Sequence, residues 1–285
     1  NEVRLSSSFI LKQGDDLRKD AATLKMFEFM NEIWRANELK YKDSNVESLT
    51  YKCIPMGPDV GIIEMISNCI ELKKVLTLKE CLKHEDNRHL YNQLVASAAG
   101  AFIAAFVMGI RDRHDDNILI RREDDELKLF HIDFGYIFGD KASVDASKLA
   151  ITSDLKKLFD IYKCGWNDFI HICISAWLTL RNNASELIDY ARVVFAFLYE
   201  PNQIEMFLRT SLKLDIANDQ IATKYIHDKL KNAPKHLKTK MKNLVHGFAQ
   251  KIKANNNGSS GNYHHPYTLS RCSLDVIDAT PSSLE

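Results

Sequence analysis

Two short segments hold most of the residues whose types could do chemistry together. The first is Gly109-Ile110-Arg111-Asp112-Arg113-His114-Asp115-Asp116-Asn117-Ile118; the second, about twenty residues on, is His131-Ile132-Asp133-Phe134-Gly135. Phosphoryl transfer from ATP needs a group to orient or deprotonate the attacking hydroxyl. It also needs hard oxygen ligands, commonly a carboxylate and an amide, for the magnesium ions that bridge the phosphates. Asp133 after a strand supplies the carboxylate, with Gly135 freeing the backbone beyond it. Asn117, five residues after Asp112 in a loop, supplies the amide. Each motif alone is weak, but loop, strand and Asp-Phe-Gly in that order, after an apolar helix and with a lysine strand upstream, form a specific set.

The elements that must hold these residues are readable from hydrophobic spacing. Ser6–Lys12 reads as a strand stopped by Gly14-Asp15-Asp16, and Leu17, Leu24, Phe27, Ile33 and Trp34 mark a helix from Asp16 to about Ala36. Tyr51–Met56 and Gly61–Ile66 are β-rich runs around a Gly57-Pro58-Asp59 turn. Leu72–Leu82 and Leu90–Ile110 read as helices, followed by a polar loop and a strand at Leu127–Ile132. From Ile151 to about Lys253 the chain reads as helices over Ile151–Tyr162, Trp166–Leu180, Ala184–Leu198, Ile204–Leu212, Asn218–Leu230 and Leu237–Lys253. The expected fold is α+β and two-lobed: a small mixed lobe over 1–66, a larger mainly helical lobe over 67–253, and a disordered tail over 254–285.

Composition excludes several classes. A chain of 285 residues, 45% hydrophobic with 38 basic and 38 acidic side chains, is an ordinary globular protein with no overall charge signal for nucleic acid, and no nucleic-acid partner is expected. The six cysteines form no pair or cluster with zinc spacing and are expected as free thiols. Leu94–Ile110 is long and uncharged enough to suggest a membrane span, but its alanines, Gly100 and the charged cluster that follows favour a buried core helix.

The order Asp112-Arg113-His114, inverted relative to ordinary protein kinases and followed by Asn117, resembles the phosphatidylinositol 3- and 4-kinases and their protein-kinase relatives. Lys12-Gln13-Gly14-Asp15-Asp16-Leu17-Arg18-Lys19-Asp20 is similar to a family block, with Lys19 in place of the usual Gln. The resemblance runs from Phe9 to about Lys253 and implies a two-lobed kinase fold using ATP with Mg2+, or Mn2+ in its place. It implies that Lys12 contacts the ATP phosphates, oriented by Asp15 or Asp20. Tyr51 would face the adenine pocket near Asp20, and Ile63, Glu64 and Ile66 would form the hinge, with backbone groups of Glu64 and Ile66 bonding adenine. Ile10, Leu119 and Ile132 would sandwich the base. Asp112 and His114 would handle the substrate hydroxyl, while Asn117 and Asp133 bind the metal. Asp116 reads as a structural loop residue and His131 as a hydrogen-bonded core histidine. Only eleven residues precede Lys12, too few for the family's phosphate-covering loop and its two strands, so a fragment of a larger kinase is expected.

The loop from Tyr136 to Ala150 is where the family reads the lipid headgroup. Lys141 and Lys148 there are balanced by Asp140 and Asp145, which suits unmodified phosphatidylinositol better than a more phosphorylated headgroup. His131-Ile132-Asp133-Phe134-Gly135-Tyr136-Ile137-Phe138-Gly139 and His246-Gly247-Phe248-Ala249-Gln250 look like class III phosphatidylinositol 3-kinases, although the proline-rich stretch of that class is missing; the 3- and 4-hydroxyl both stay open. Between Lys229 and Lys253 lie eight lysines, no acidic residue and an apolar stripe, a pattern suited to peripheral contact with an anionic bilayer. The expected setting is cytoplasmic, peripheral at endomembranes, with regulatory subunits as further partners. A Ser/Thr protein kinase of the same superfamily is the alternative.

Overall fold

The computed structural model describes residues 8–140 and 149–235. The predicted Leu237–Lys253 helix, the tail over 254–285, and Lys141 and Lys148 lie outside them. Strand β1 (Phe9–Gln13) alternates exposed Phe9, Leu11 and Gln13 with inward Ile10 and Lys12. It pairs antiparallel with β5 (Val60–Glu64), which also pairs with β4 (Cys53–Pro55), so the first sheet runs β1-β5-β4. The turn at Met56–Val60 closes with the Met56 and Gly57 amides both donating to the Val60 carbonyl. Helix α1 (Arg18–Ala36) carries the predicted apolar stripe, and Leu24, Phe27, Ile33 and Trp34 are all buried.

The chain leaves the first sheet at Glu64 and enters a second at β6 (Cys69–Glu71), which joins β7 (Ile118–Arg122) and β8 (Leu127–His131) in the order β6-β7-β8. A 3-10 stretch (Leu72–Leu78) and the short α2 (Lys79–Lys83) lead to α3 (Arg88–Met108). Helix α3 is buried along almost all of its length and packs against β8, so its apolarity reflects a core position. The remaining helices are α4 (Ser153–Phe159), α5 (Gly165–Asn182), α6 (Ala184–Val194), α7 (Pro201–Ser211) and α8 (Asp219–Asn232). Side chains cap two of these: Thr152 accepts from the Leu155 amide at α4, and Asn218 from the Gln220 and Ile221 amides at α8.

Three features depart from the sequence reading. Part of the expected polar loop after α3 is β7, and β6 and a small β2 (Lys40–Tyr41)–β3 (Ser44–Asn45) hairpin were not foreseen. Strands of two or three residues carry no period of their own; their pairing is set by the neighbour they meet. The first part of Leu72–Leu82 is 3-10 rather than α-helical.

Candidate active site

The loop expected to handle the substrate hydroxyl begins where α3 stops. Gly109 closes the helix in the left-handed region (φ 63°), and the Ile110 amide reaches back to the Ala105 carbonyl. The loop is then organised by Arg113, whose buried guanidinium donates from Nε to the Arg111 carbonyl (2.9 Å) and from Nη1 to those of Ile132 (2.6 Å) and Asn117 (3.3 Å). Nη2 donates to the Asp133 carbonyl. One planar fork therefore stitches the 111–117 loop to the exit of β8, a job that five fixed N–H donors suit and a lysine does not. Burial lowers the Arg113 pKa, countered by the negative charges of Asp133 and Asp112. Asp112 and Asp133 themselves hold positive φ (59° and 63°), an uncommon conformation for non-glycine residues that tends to mark functional sites.

The two proposed metal ligands sit on adjoining strand ends. The β7–β8 register places Ile118 opposite His131, and the Ile132 amide donates to the Asn117 carbonyl (3.1 Å). Asn117 Nδ2 donates to the Asp112 carbonyl (3.0 Å), which fixes the amide and leaves Oδ1 as its acceptor. An amide oxygen and a carboxylate are hard donors that fit Mg2+. Among the described residues no cluster of three His, Cys, Asp or Glu side chains could hold a metal by itself, so phosphate oxygens would complete such a coordination shell.

His114 is buried, and its Nδ1 accepts from the Asp116 amide (3.3 Å), with Asp116 Oδ2 4.0 Å away. The amide contact favours the neutral tautomer with its proton on Nε2. Asp116 is also paired with Lys73 (3.1 Å), which bonds Glu71 (3.0 Å), in keeping with a loop-structural role. His131 is a core histidine as expected: its ring lies edge-on to Phe102, and burial, assisted by the Arg113 charge and opposed by a backbone contact from Asn117, holds its pKa well below the ordinary value.

Lys12, inward on β1, pairs with Asp15 at 2.5 Å. Burial pulls its pKa down, but the Asp15 hydrogen bond and the fields of Asp133, Asp15 and Asp20 outweigh this and leave it raised. Of the two predicted orienting carboxylates, Asp15 makes the direct contact and Asp20 acts through its field. Asp20 is buried, and its Oδ1 accepts from the Phe134 amide (3.1 Å). Desolvation pushes its pKa up to about 6, assisted by Asp133 and opposed by the Phe134 hydrogen bond and by Lys12. Tyr51 is buried in the core with its ring edge-on to Phe130, and its pKa is raised by burial and by the nearby Asp20 charge.

On the hinge side, Ile63 lies opposite Ile10 across the β1–β5 pair, and Ile10, Leu119 and Ile132 are all half-buried. The Glu64 amide donates to the Lys52 carbonyl, and Glu64 Oε2 accepts from the Lys52 amide, both at 2.8 Å. That side chain is thus turned onto the neighbouring strand. A cavity of about 780 Å³ lies behind α1, lined by Leu24, Ile54, Val194 and Phe197; it shares Tyr51 and Glu64 with the adenine-facing set but includes none of Asp112, His114, Asn117 and Asp133. The residues whose importance the sequence did not disclose are Arg113, whose partners are main-chain carbonyls, and Asp140 and Tyr199, which meet Lys19 across long sequence separations.

Comparison with known proteins gives the same direction. The family model described as phosphatidylinositol 3- and 4-kinase matches residues 6–87 and 71–190. The chain is 27% identical over 281 residues to the human phosphatidylinositol 3-kinase C2 domain-containing subunit gamma, covering 88% of this chain and 18% of that protein. It is 28% identical to phosphatidylinositol 3-kinase 3 of Dictyostelium discoideum (94% of this chain, 17% of that one) and 29% identical to phosphatidylinositol 3-kinase piki-1 of Caenorhabditis elegans (67% and 13%). The chain therefore spans less than a fifth of the length of these relatives. With the family match extending over more than half of its residues, the chain belongs to the phosphatidylinositol 3- and 4-kinase family.

Proposed function

We propose that this chain is the catalytic part of a lipid kinase that transfers the γ-phosphoryl group of ATP to the 3-hydroxyl of phosphatidylinositol. The observation that carries the reading is the Arg113 fork, which joins the Asp112–His114 loop to the Asp133 carbonyl and so holds the hydroxyl-handling and phosphate-handling residues in one frame. The names of the relatives support the 3-hydroxyl.

In this reading Lys12 binds the phosphates, its charge maintained by Asp15. The half-buried Ile10, Leu119 and Ile132 exclude water around the base. The lipid hydroxyl oxygen bonds to the γ-phosphorus as the bond to the β–γ bridging oxygen breaks, and ADP leaves with that electron pair. The hydroxyl proton passes to the Asp112–His114 pair. Between them the two side chains orient the hydroxyl and take up its proton as the oxygen attacks. When Mg2+ is bound with ATP, Asn117 and Asp133 would hold it, and it would neutralise charge on the phosphates.

Membrane access is proposed through residues 229–253, peripheral to anionic endomembranes from the cytoplasmic side. Lys229, in the described part, lies by the Tyr225 ring while Leu230 is buried. The test is incubation with labelled ATP, Mg2+ and phosphatidylinositol vesicles with and without phosphatidylserine, with headgroup chromatography of the product. Phosphatidylinositol 3-phosphate, greater on anionic vesicles and absent in Asp133→Ala, is expected. The 4-phosphate would move the enzyme to the sister activity, and labelling of a peptide instead would make it a protein kinase.

A further inference from the structure

Lys19, the residue that departs from the family block, stands at the meeting point of three elements. From the first turn of α1 its ammonium reaches Asp140 Oδ2 (3.0 Å) and the Gly135 carbonyl (3.3 Å). The same carboxylate oxygen accepts from the Tyr199 hydroxyl at 2.5 Å, and Lys19 Nζ lies 5.3 Å from the Tyr199 ring centre. Tyr199 belongs to the connection between α6 and α7, and Asp140 closes the stretch that opens the headgroup loop. That stretch is bound on its other side as well. The Arg111 amide donates to the Tyr136 carbonyl and the Phe138 amide to that of Met108. The Phe138 ring is enclosed by Phe195, Tyr199 and Phe207. Phe138 and Gly139 both take positive φ (47° and 94°), so the chain turns sharply just before Asp140.

The neighbouring residue completes the arrangement. Asp20 accepts from the Phe134 amide while Lys19 donates to the Gly135 carbonyl, so two consecutive residues of α1 hold two adjoining residues after Asp133. A glutamine at position 19 is a neutral, shorter side chain and could not form an ion pair with Asp140. We propose that Lys19 is a positioning residue that, through Asp140 and Tyr199, fixes the path of the chain from Asp133 to the loop that meets the lipid headgroup. Its role in lipid turnover rests on the function proposed above; the fixing of the chain does not.

Lys19→Met removes the charge while keeping the stem, Lys19→Arg restores it, and Asp140→Asn weakens the same contact from the other side. Hydrogen exchange of the 135–140 amides in the 285-residue chain reads the fixing directly. Lys19→Met and Asp140→Asn are each expected to speed exchange there about tenfold, with no further gain in the double variant and recovery in Lys19→Arg. On phosphatidylinositol vesicles Lys19→Met should lower kcat about tenfold while KM for ATP stays within about twofold. Unchanged exchange in Lys19→Met, or additive effects of the two substitutions, would overturn the proposal, as would a loss confined to ATP affinity. If the parent chain phosphorylates no phosphatidylinositol, the functional reading fails and the exchange result alone decides the role of Lys19.

Discussion

Asp20 carries two duties that pull in opposite directions. Its carboxylate oxygen holds the Phe134 amide beside Asp133, the proposed metal ligand, yet its burial raises its pKa to about 6. With the folded pKa above the unfolded value, the group's favourable contribution is complete below the unfolded pKa near 3.8 and disappears as pH rises through about 6. At neutral pH the nucleotide-free protein therefore holds a charge that costs roughly 2–3 kcal/mol relative to a neutral group there. Asparagine keeps the acceptor for the Phe134 amide and removes the charge. Asp20→Asn is expected to gain thermal stability relative to the parent at pH 7.5, with about half of that advantage left at pH 5 and none below the unfolded pKa near 3.8. A pH-independent difference between the two melting curves would show that the carboxylate is not held as described.

Helix α3 positions the catalytic loop because almost nothing on it faces water, and its close packing depends on a missing side chain. A Cβ at Gly100 would lie 2.3 Å from the Glu47 carbonyl oxygen and 2.4 Å from its carbon, both main-chain atoms beyond β3. Gly100→Ala gains helix propensity of about 1 kcal/mol, but the backbone must separate, a strain of about 1–3 kcal/mol or more. The variant is expected to melt several degrees lower; an unchanged or higher midpoint would mean that opening the contact costs no more than the helix propensity gained. Elements like α3 and α1 were readable because their apolar residues repeat over many positions. Strand β7 was not, because Ile118–Arg122 is short, ends in two arginines and gains its pairing from β6 and β8 rather than from its own pattern. In the candidate site, Asp112, Asn117 and Asp133 could be nominated from the sequence because phosphoryl transfer demands those side-chain types at such spacing. Arg113 could not be recognised as the fork that joins them, since backbone carbonyls leave no mark on the sequence. Lys19 did leave one, as a departure from the family block, but its partners Asp140 and Tyr199 lie more than a hundred residues away.

At the scale of the molecule, α1 belongs to both halves. It follows the β1 strand of the first sheet, while its other faces reach the helical part: Phe29 stacks on Tyr190 of α6 at 4.2 Å, Phe27 meets Phe134 edge-on at 5.4 Å, and Trp34 Nε1 donates to the Ala176 carbonyl of α5 at 2.9 Å. Lys12 and Asp20 precede and open this helix, and Asp133 lies across from it, so relative motion of the two halves would directly change the field at the phosphate site. A helix fixed to α5 by a buried tryptophan and to α6 by a half-buried aromatic stack makes independent melting of the small sheet unfavourable. The sheet would have to leave behind the helix that covers its apolar face, or remove that helix from a buried tryptophan hydrogen bond. Unfolding of the chain is therefore expected as one cooperative transition. Trp34→Phe, which deletes the indole N–H and leaves a void, should lower that transition by about 4–8 °C for a loss of roughly 2 kcal/mol. The whole transition should move, in far-ultraviolet circular dichroism and in aromatic fluorescence alike. Two separate midpoints, with only one of them sensitive to Trp34, would show that the halves are joined at the catalytic loop alone and that α1 does not couple them.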